Sequence, residues 1–246
     1  MELHMMVLFV FCLVILFSNI IQGITGFAGT LIAMPFLLIL VDLETAKQVL
    51  NALGIVGSLW IISKDHAFVR GDLLRKIIPT MGIGLAIGII CYNFFPKDVL
   101  MYLLPVFILF IGIKGLLESF MKSNKTRKKK NPIVNLLLLL GAGIVHGLFV
   151  SGGPLLVTFA TKEIDNKREF RATLSVVWLV LNSLILIQSI IAKAITAQIA
   201  TYMAISIIPL LFGIVIGGIL LKKMSQVTFM HISYALLIFS GISLLI

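Results

Sequence analysis

Two stretches decide the fold: Gln22-Gly23-Ile24-Thr25-Gly26-Phe27-Ala28-Gly29 and, 124 positions on, His146-Gly147-Leu148-Phe149-Val150-Ser151-Gly152-Gly153-Pro154. Both interrupt long apolar runs near their middles, Met5 to Val41 and Ile133 to Ala160, and the first run is much too long for one crossing. A helix needs about 20 apolar residues to cross the hydrocarbon core. Each run therefore reads as two helical pieces that turn back to the side they came from.

The rest of the chain is built for lipid. Of its 246 residues, 60% are hydrophobic and 12% charged, with a mean hydropathy of +1.14. That is too little polar surface to cover a water-soluble globule. The composition reads as an integral membrane protein and excludes soluble enzymes, nucleic-acid binders and disordered interaction proteins. The net charge of +10 comes mostly from residues between apolar runs, where membrane orientation explains it; no nucleic-acid partner follows. Cys12 and Cys91 lie inside apolar stretches and read as small buried hydrophobes, with no disulfide and no metal expected. The N-terminal segment has no positive n-region and no small-residue cleavage site, so it reads as retained in the membrane.

Besides the two interrupted runs, six apolar stretches appear: Val49 to Ser63, Ile77 to Phe94, Val99 to Leu117, Ala172 to Ala192, Ile195 to Leu221 and Phe229 to Ile246. Lys and Arg of short loops concentrate on the cytoplasmic side, and the basic loop from Lys122 to Lys130 marks that side. If all eight runs cross, 12 of the 20 basic residues lie inside. With both interrupted runs folded back as hairpins, 17 lie inside and Lys47, Lys97 and Lys193 outside. The hairpin arrangement is expected.

Each half then holds a hairpin plus three crossings, an odd net number, so two similar halves have opposite orientations. A shift of 124 lays Gln22-Gly23 on His146-Gly147, Gly29 on Gly153 and Lys47 on Arg171, and a later shift of 130 lays Pro79 and Gly88 on Pro209 and Gly218. The expected fold is all-α and polytopic, with two inverted repeats, residues 1–121 and 132–246, joined by a basic cytoplasmic linker, 122–131. Both termini are expected outside, and the location is a bacterial inner (plasma) membrane.

Chemistry inside the membrane is read from what is present at the breaks. The acids, Asp42, Glu44, Asp65, Glu163 and Glu169 among them, fall at run ends and loops, so the carboxylate ligands of a cation-coupled pump are not expected. Interrupted helices instead present backbone N–H groups and a positive dipole end, which suit an anion. The candidate substrate residues are Thr25, Gly26, Gly29, Thr30, His146, Ser151, Gly152 and Gly153 at two breaks placed at the midplane. Asn51, Arg171 and Ser175 join them on the helices that follow the hairpins. Lys47 and Arg171 read as cations at opposite mouths of the pathway, and His146 as the titratable candidate in the breaks. An enzyme is not expected; the alternative from another class is an intramembrane serine hydrolase with Ser151 as nucleophile and His146 or His231 as base. No cofactor is called for, membrane lipid is an expected partner, and a homodimer is compatible with the sequence.

At these breaks the chain resembles the sulfite exporter TauE/SafE family of membrane permeases. The resemblance is carried by Gly23, Gly26, Gly29 and Pro35, then Gly147, Gly152, Gly153 and Pro154, and by the segment from Phe170 to Ser175. It spans essentially the whole chain. Phe27 and Ala28 interrupt the family's first glycine run, and Phe159 stands where a second proline is expected. The resemblance implies secondary transport of a small anion, a sulfur oxyanion or organosulfonate such as sulfite, thiosulfate or sulfoacetate, with small carboxylates as the alternative substrates. Transport by alternating access, with the substrate between the two Gly-rich breaks, is the resulting expectation.

Overall fold

The computed structural model describes residues 2–94 and 132–225, together with short helical stretches among 105–117 and 228–242. Among the described residues all regular structure is helical: α1 (Glu2–Thr25), α2 (Gly29–Leu40), α3 (Leu43–Asp65), a 3-10 turn (His66–Phe68), α4 (Gly71–Phe94), α5 (Pro132–Phe149), α6 (Gly153–Glu163), α7 (Lys167–Ile191) and α8 (Ala197–Lys223). The expected last crossing of each half falls largely outside the described residues, and the linker 122–131 wholly so.

Helices α1, α3, α4, α5, α7 and α8 are long and apolar enough to span a membrane. With 12 and 11 residues, α2 and α6 extend about 18 and 16 Å at 1.5 Å per residue, short of the ~30 Å hydrocarbon core. Each packs back on the helix before it, α2 on α1 and α6 on α5. Both interrupted runs are therefore a long helix with a short return. The ends of α1 and α5, the starts of α2 and α6, and the starts of α3 and α7 are each offset by the 124 positions read from the sequence.

The chain forms two compact units, Met1–Gly71 with Arg168–Met224, and Asp72–Lys167 with Ser225–Ile246. The first contains α1, α2, α3, α7 and α8; the second contains α4, α5 and α6. Each unit draws on both sequence halves, so the repeats along the chain interleave in space.

In the first unit α1 and α8 run parallel and cross through glycines. Gly213 backs onto the Leu16 carbonyl and Asn19, Gly217 onto the Ile20 carbonyl and Gly23, and a Cβ on Gly23 would stand 2.7 Å from the Ile214 carbonyl oxygen. In the second unit α4 and α5 cross the same way. Gly84 backs onto the Leu140 carbonyl and Gly143, and Gly88 onto the Ile144 carbonyl and Gly147. Small residues let helix backbones approach where lipid supplies no hydrophobic drive between helices. The partners on α1 and α5 match at a shift of 124, those on α8 and α4 at 129. The shift of 130 that set Gly88 on Gly218 is thus one residue out at this crossing, where Gly217 does the packing.

Helices α3 and α7 are joined at both ends. Near one end the buried Asn51 donates to the Asn182 carbonyl at 3.1 Å, and at the other Asp65 meets Arg171 at 2.6 Å and Arg168 at 3.1 Å. These repeat mates therefore run antiparallel, the relation inverted halves require. Had every apolar run crossed, Asp65 and Arg168 would sit on opposite sides of the hydrocarbon core.

Candidate functional site

The two breaks share a backbone device. Gly26 has φ of +79° and Val150 φ of +55°, and their N–H groups donate to the carbonyls of Gln22 and His146, each at 2.8 Å. A single left-handed residue closes each long helix. Glycine takes that conformation freely, whereas a β-branched valine is strained in it.

Past that residue the chain turns under a side-chain acceptor. Gln22 Oε1 receives the Gly29 N–H at 2.9 Å, and His146 Nδ1 receives the Gly152 N–H at a longer 3.5 Å. Gly29 and Gly152 are also the glycines pressed on the preceding helix: a Cβ on Gly29 would lie 3.0 Å from the Ser18 carbonyl oxygen, and one on Gly152 would collide with the Ala142 carbonyl oxygen. Geometrically the counterpart of Gly29 is Gly152, one position earlier than Gly153, because the second turn is one residue tighter. Pro154 follows at the start of α6, where its missing N–H has no helical partner to lose.

Hydroxyls line both turns. Thr25, fully buried, accepts from the N–H groups of Phe27 and Ala28 at 3.3 and 3.1 Å and donates to the Ile21 carbonyl. Ser151 donates to the Phe149 carbonyl at 3.0 Å. Its proton thus goes to backbone, while Nδ1 of His146 accepts from Gly152. Thr30 sits half-buried in the first turn of α2 and Gly153 buried in that of α6.

Neither break lies at the middle of the helix it crosses. Gly23 packs on Gly217, six residues before α8 ends at Lys223. Gly147 packs on Gly88, six residues before Phe94. Six residues are about 9 Å of helix. The first break follows 24 residues of α1.

Arg171, Asn51 and Ser175 all lie in the first unit, and each is engaged. Arg171 donates through one terminal nitrogen to the Gly23 carbonyl and through the other to Asp65. Gly26 rests directly against it, with room for a Cβ only 3.0 Å from Arg171 Cγ. The guanidinium ties the first break to α3 and neutralises the negative end of α1. Ser175 donates to the Arg171 carbonyl, and Asn51 holds Asn182.

The residue that sequence reading missed is Asp65, which reads as a loop acid and is 4% exposed. A signal was present: Asn51, Ser58 and Asp65 recur every seven residues, two helical turns, and so share one face of α3. That face is buried throughout. Gln48 Oε1, Asn51 Oδ1, Ser58 Oγ and Arg171 Nε are buried there without a hydrogen-bond partner. Such a line of unmet polar atoms is unusual in a protein interior and fits a hydrated or ligand-facing seam.

Lys47, at the start of α3, is also buried, at 8% exposure. Among the described residues no three His, Cys, Asp or Glu side chains gather to hold a metal ion. No curated protein and no solved structure matched the chain. A family model described as Sulfite exporter TauE/SafE matches residues 11–244, and with its spanning helices and twin helix breaks the chain belongs to this family of membrane transporters.

Proposed function

We propose that the protein is a secondary transporter that moves a small oxyanion, of the sulfite, thiosulfate or sulfoacetate class, by alternating access of two inverted halves in a bacterial plasma membrane. The observation that carries this reading is the duplicated break, where two unrelated side chains, Gln22 and His146, perform one backbone task. Backbone N–H groups with flanking hydroxyls are the donors an oxyanion needs. Helix breaks of this kind, once in each half, are the recurrent substrate elements of inverted-repeat carriers.

In this reading each break offers substrate groups of its own: Thr25, Gly26, Gly29 and Thr30 in the first unit, and His146, Ser151, Gly152 and Gly153 in the second. Asn51 and Ser175 border the seam between α3 and α7. Arg171 positions the first break, and its Nε adds a donor. The antiparallel course of α3 and α7 supports inversion of the halves.

Proteoliposomes containing the full chain test the reading directly. Uptake is measured for sulfite, thiosulfate, sulfoacetate and simple carboxylates; saturable uptake of a sulfur anion is expected. Saturable uptake of carboxylates alone would move the substrate to that class, and transport of none of them would overturn the proposal.

A further inference from the structure

The first unit contains a cavity of about 300 Å³ where α3 and α8 end and α7 begins, lined by Trp60, Lys64, Asp65, Arg168, Arg171 and Lys222 on its polar side. Its charge is lopsided. Four cations face one carboxylate, and that carboxylate is shared by Arg168 and Arg171. Lys64 and Lys222 are exposed and pair with no acid among the described residues; Lys64 lies over the Trp60 ring at 5.3 Å. Arg171 Nε is buried without a partner.

The opposite wall is aliphatic: Ile214, Val215, Ile219 and Leu221 of α8. Two of these, Val215 and Ile219, are 40% and 50% exposed and continue an apolar face through Phe212, Ile216 and Leu220. On a membrane-spanning helix such a face meets acyl chains. The charged end lies on the side where the sequence gathers its basic residues, and Trp60 and the helix-end lysines are the residue types that anchor at the membrane–water boundary.

We propose that this cavity binds one anionic phospholipid, with its phosphate among Lys64, Arg168 and Lys222 and its chains along the exposed face of α8. A small free anion would make no use of that apolar wall. The site adjoins the first break through Arg171, and its occupancy by lipid does not depend on what the protein transports. Occupancy would brace the ends of α3, α7 and α8 against each other next to the Asp65–Arg171 pair, and so stabilise the first break.

The test uses the full chain purified in a neutral detergent. Thermal unfolding and native mass spectrometry are followed on adding phosphatidylglycerol, phosphatidylcholine, glycerol 3-phosphate or inorganic phosphate. The expected result is one tightly retained phosphatidylglycerol with a rise in melting temperature of several degrees, and little effect of the other three. Lys64→Ala/Lys222→Ala should weaken phosphatidylglycerol binding at least tenfold while its lipid-free melting temperature stays that of the parent. The charge-matched control Lys76→Ala/Lys162→Ala should bind as the parent does. Equal stabilisation by phosphatidylcholine, equal protection by inorganic phosphate, or equal losses in the two double variants would each overturn the proposal.

Discussion

The two helix breaks have the same backbone and different fastenings. The first is closed by a glycine, propped by Thr25 and clamped by Arg171, whose guanidinium reaches the Gly23 carbonyl and the Asp65 carboxylate. The second is closed by a strained valine, and the His146 ring and the Ser151 hydroxyl of its own segment hydrogen-bond to the turn. One break is thus locked by an ion pair with a partner far away in sequence. The other makes hydrogen bonds within its own segment and carries backbone strain at Val150.

The largest expected effect comes from unlocking the first break. Removing one partner of a buried pair leaves an uncompensated charge, at a cost of about 3–5 kcal/mol. Asp65→Ala should lower stability by that order in denaturant titration of the solubilised protein, and the double variant Asp65→Leu/Arg171→Met should recover most of it. A cost for Asp65→Ala below about 1 kcal/mol would show the clamp to be no more than a surface-type pair, and the contrast between the breaks would collapse.

Exchanging the residues that close the helices is next in size. Gly26→Val imposes a β-branched side chain at φ of +79° and pushes it against Arg171, a combination expected to cost roughly 2–3 kcal/mol. Val150→Gly should do the opposite, relieving strain for a gain of up to about 1 kcal/mol. Melting temperatures of the two variants should move in opposite directions; movement in the same direction would mean that Val150 is not strained.

The acceptors under the turns sharpen the comparison further. His146→Ala leaves the buried Gly152 N–H without its acceptor, a loss of about 1–2 kcal/mol. His146→Gln supplies the acceptor already used in the first break and should restore most of that stability. If His146→Gln folds normally but its transport loses a pH dependence that the parent shows, the imidazole has a role beyond holding the turn; identical pH profiles would leave it structural.

The smallest contrast lies at the helices that follow the hairpins. Asp42 caps α3, accepting from the Thr45 N–H at 2.9 Å and the Thr45 hydroxyl at 2.6 Å, while the matching position before α7 is Asn166. The Thr45 hydroxyl first, and its N–H second, hold the Asp42 carboxyl below its ordinary value. A depressed carboxylate stabilises the fold above its unfolded pKa, near 4, and the contribution is lost as pH falls through the lower folded value. Asp42→Ala should cost about 1 kcal/mol at neutral pH. Asp42→Asn should flatten the decline of melting temperature below about pH 4, which measurement of both proteins across that range will show.

Hydropathy and charge placement, properties of the chain itself, were enough to determine much of this protein. They gave membrane residence, the positions of both breaks, the 124-residue offset between the halves, and the choice of hairpins over crossings. A count of lysines and arginines could decide that topology because each charge meets the membrane boundary individually. The contacts inside the units were not available in that form. Arg171 finds Asp65 106 residues away and Gly23 148 residues away, and no local pattern announces such a meeting. Which glycine packs on α1, Gly217 or Gly218, depends on the rotational phase of a helix, where one residue turns the face by about 100°. Only the tertiary structure sets that phase, because it is chosen by how two backbones fit against each other and not by either sequence alone.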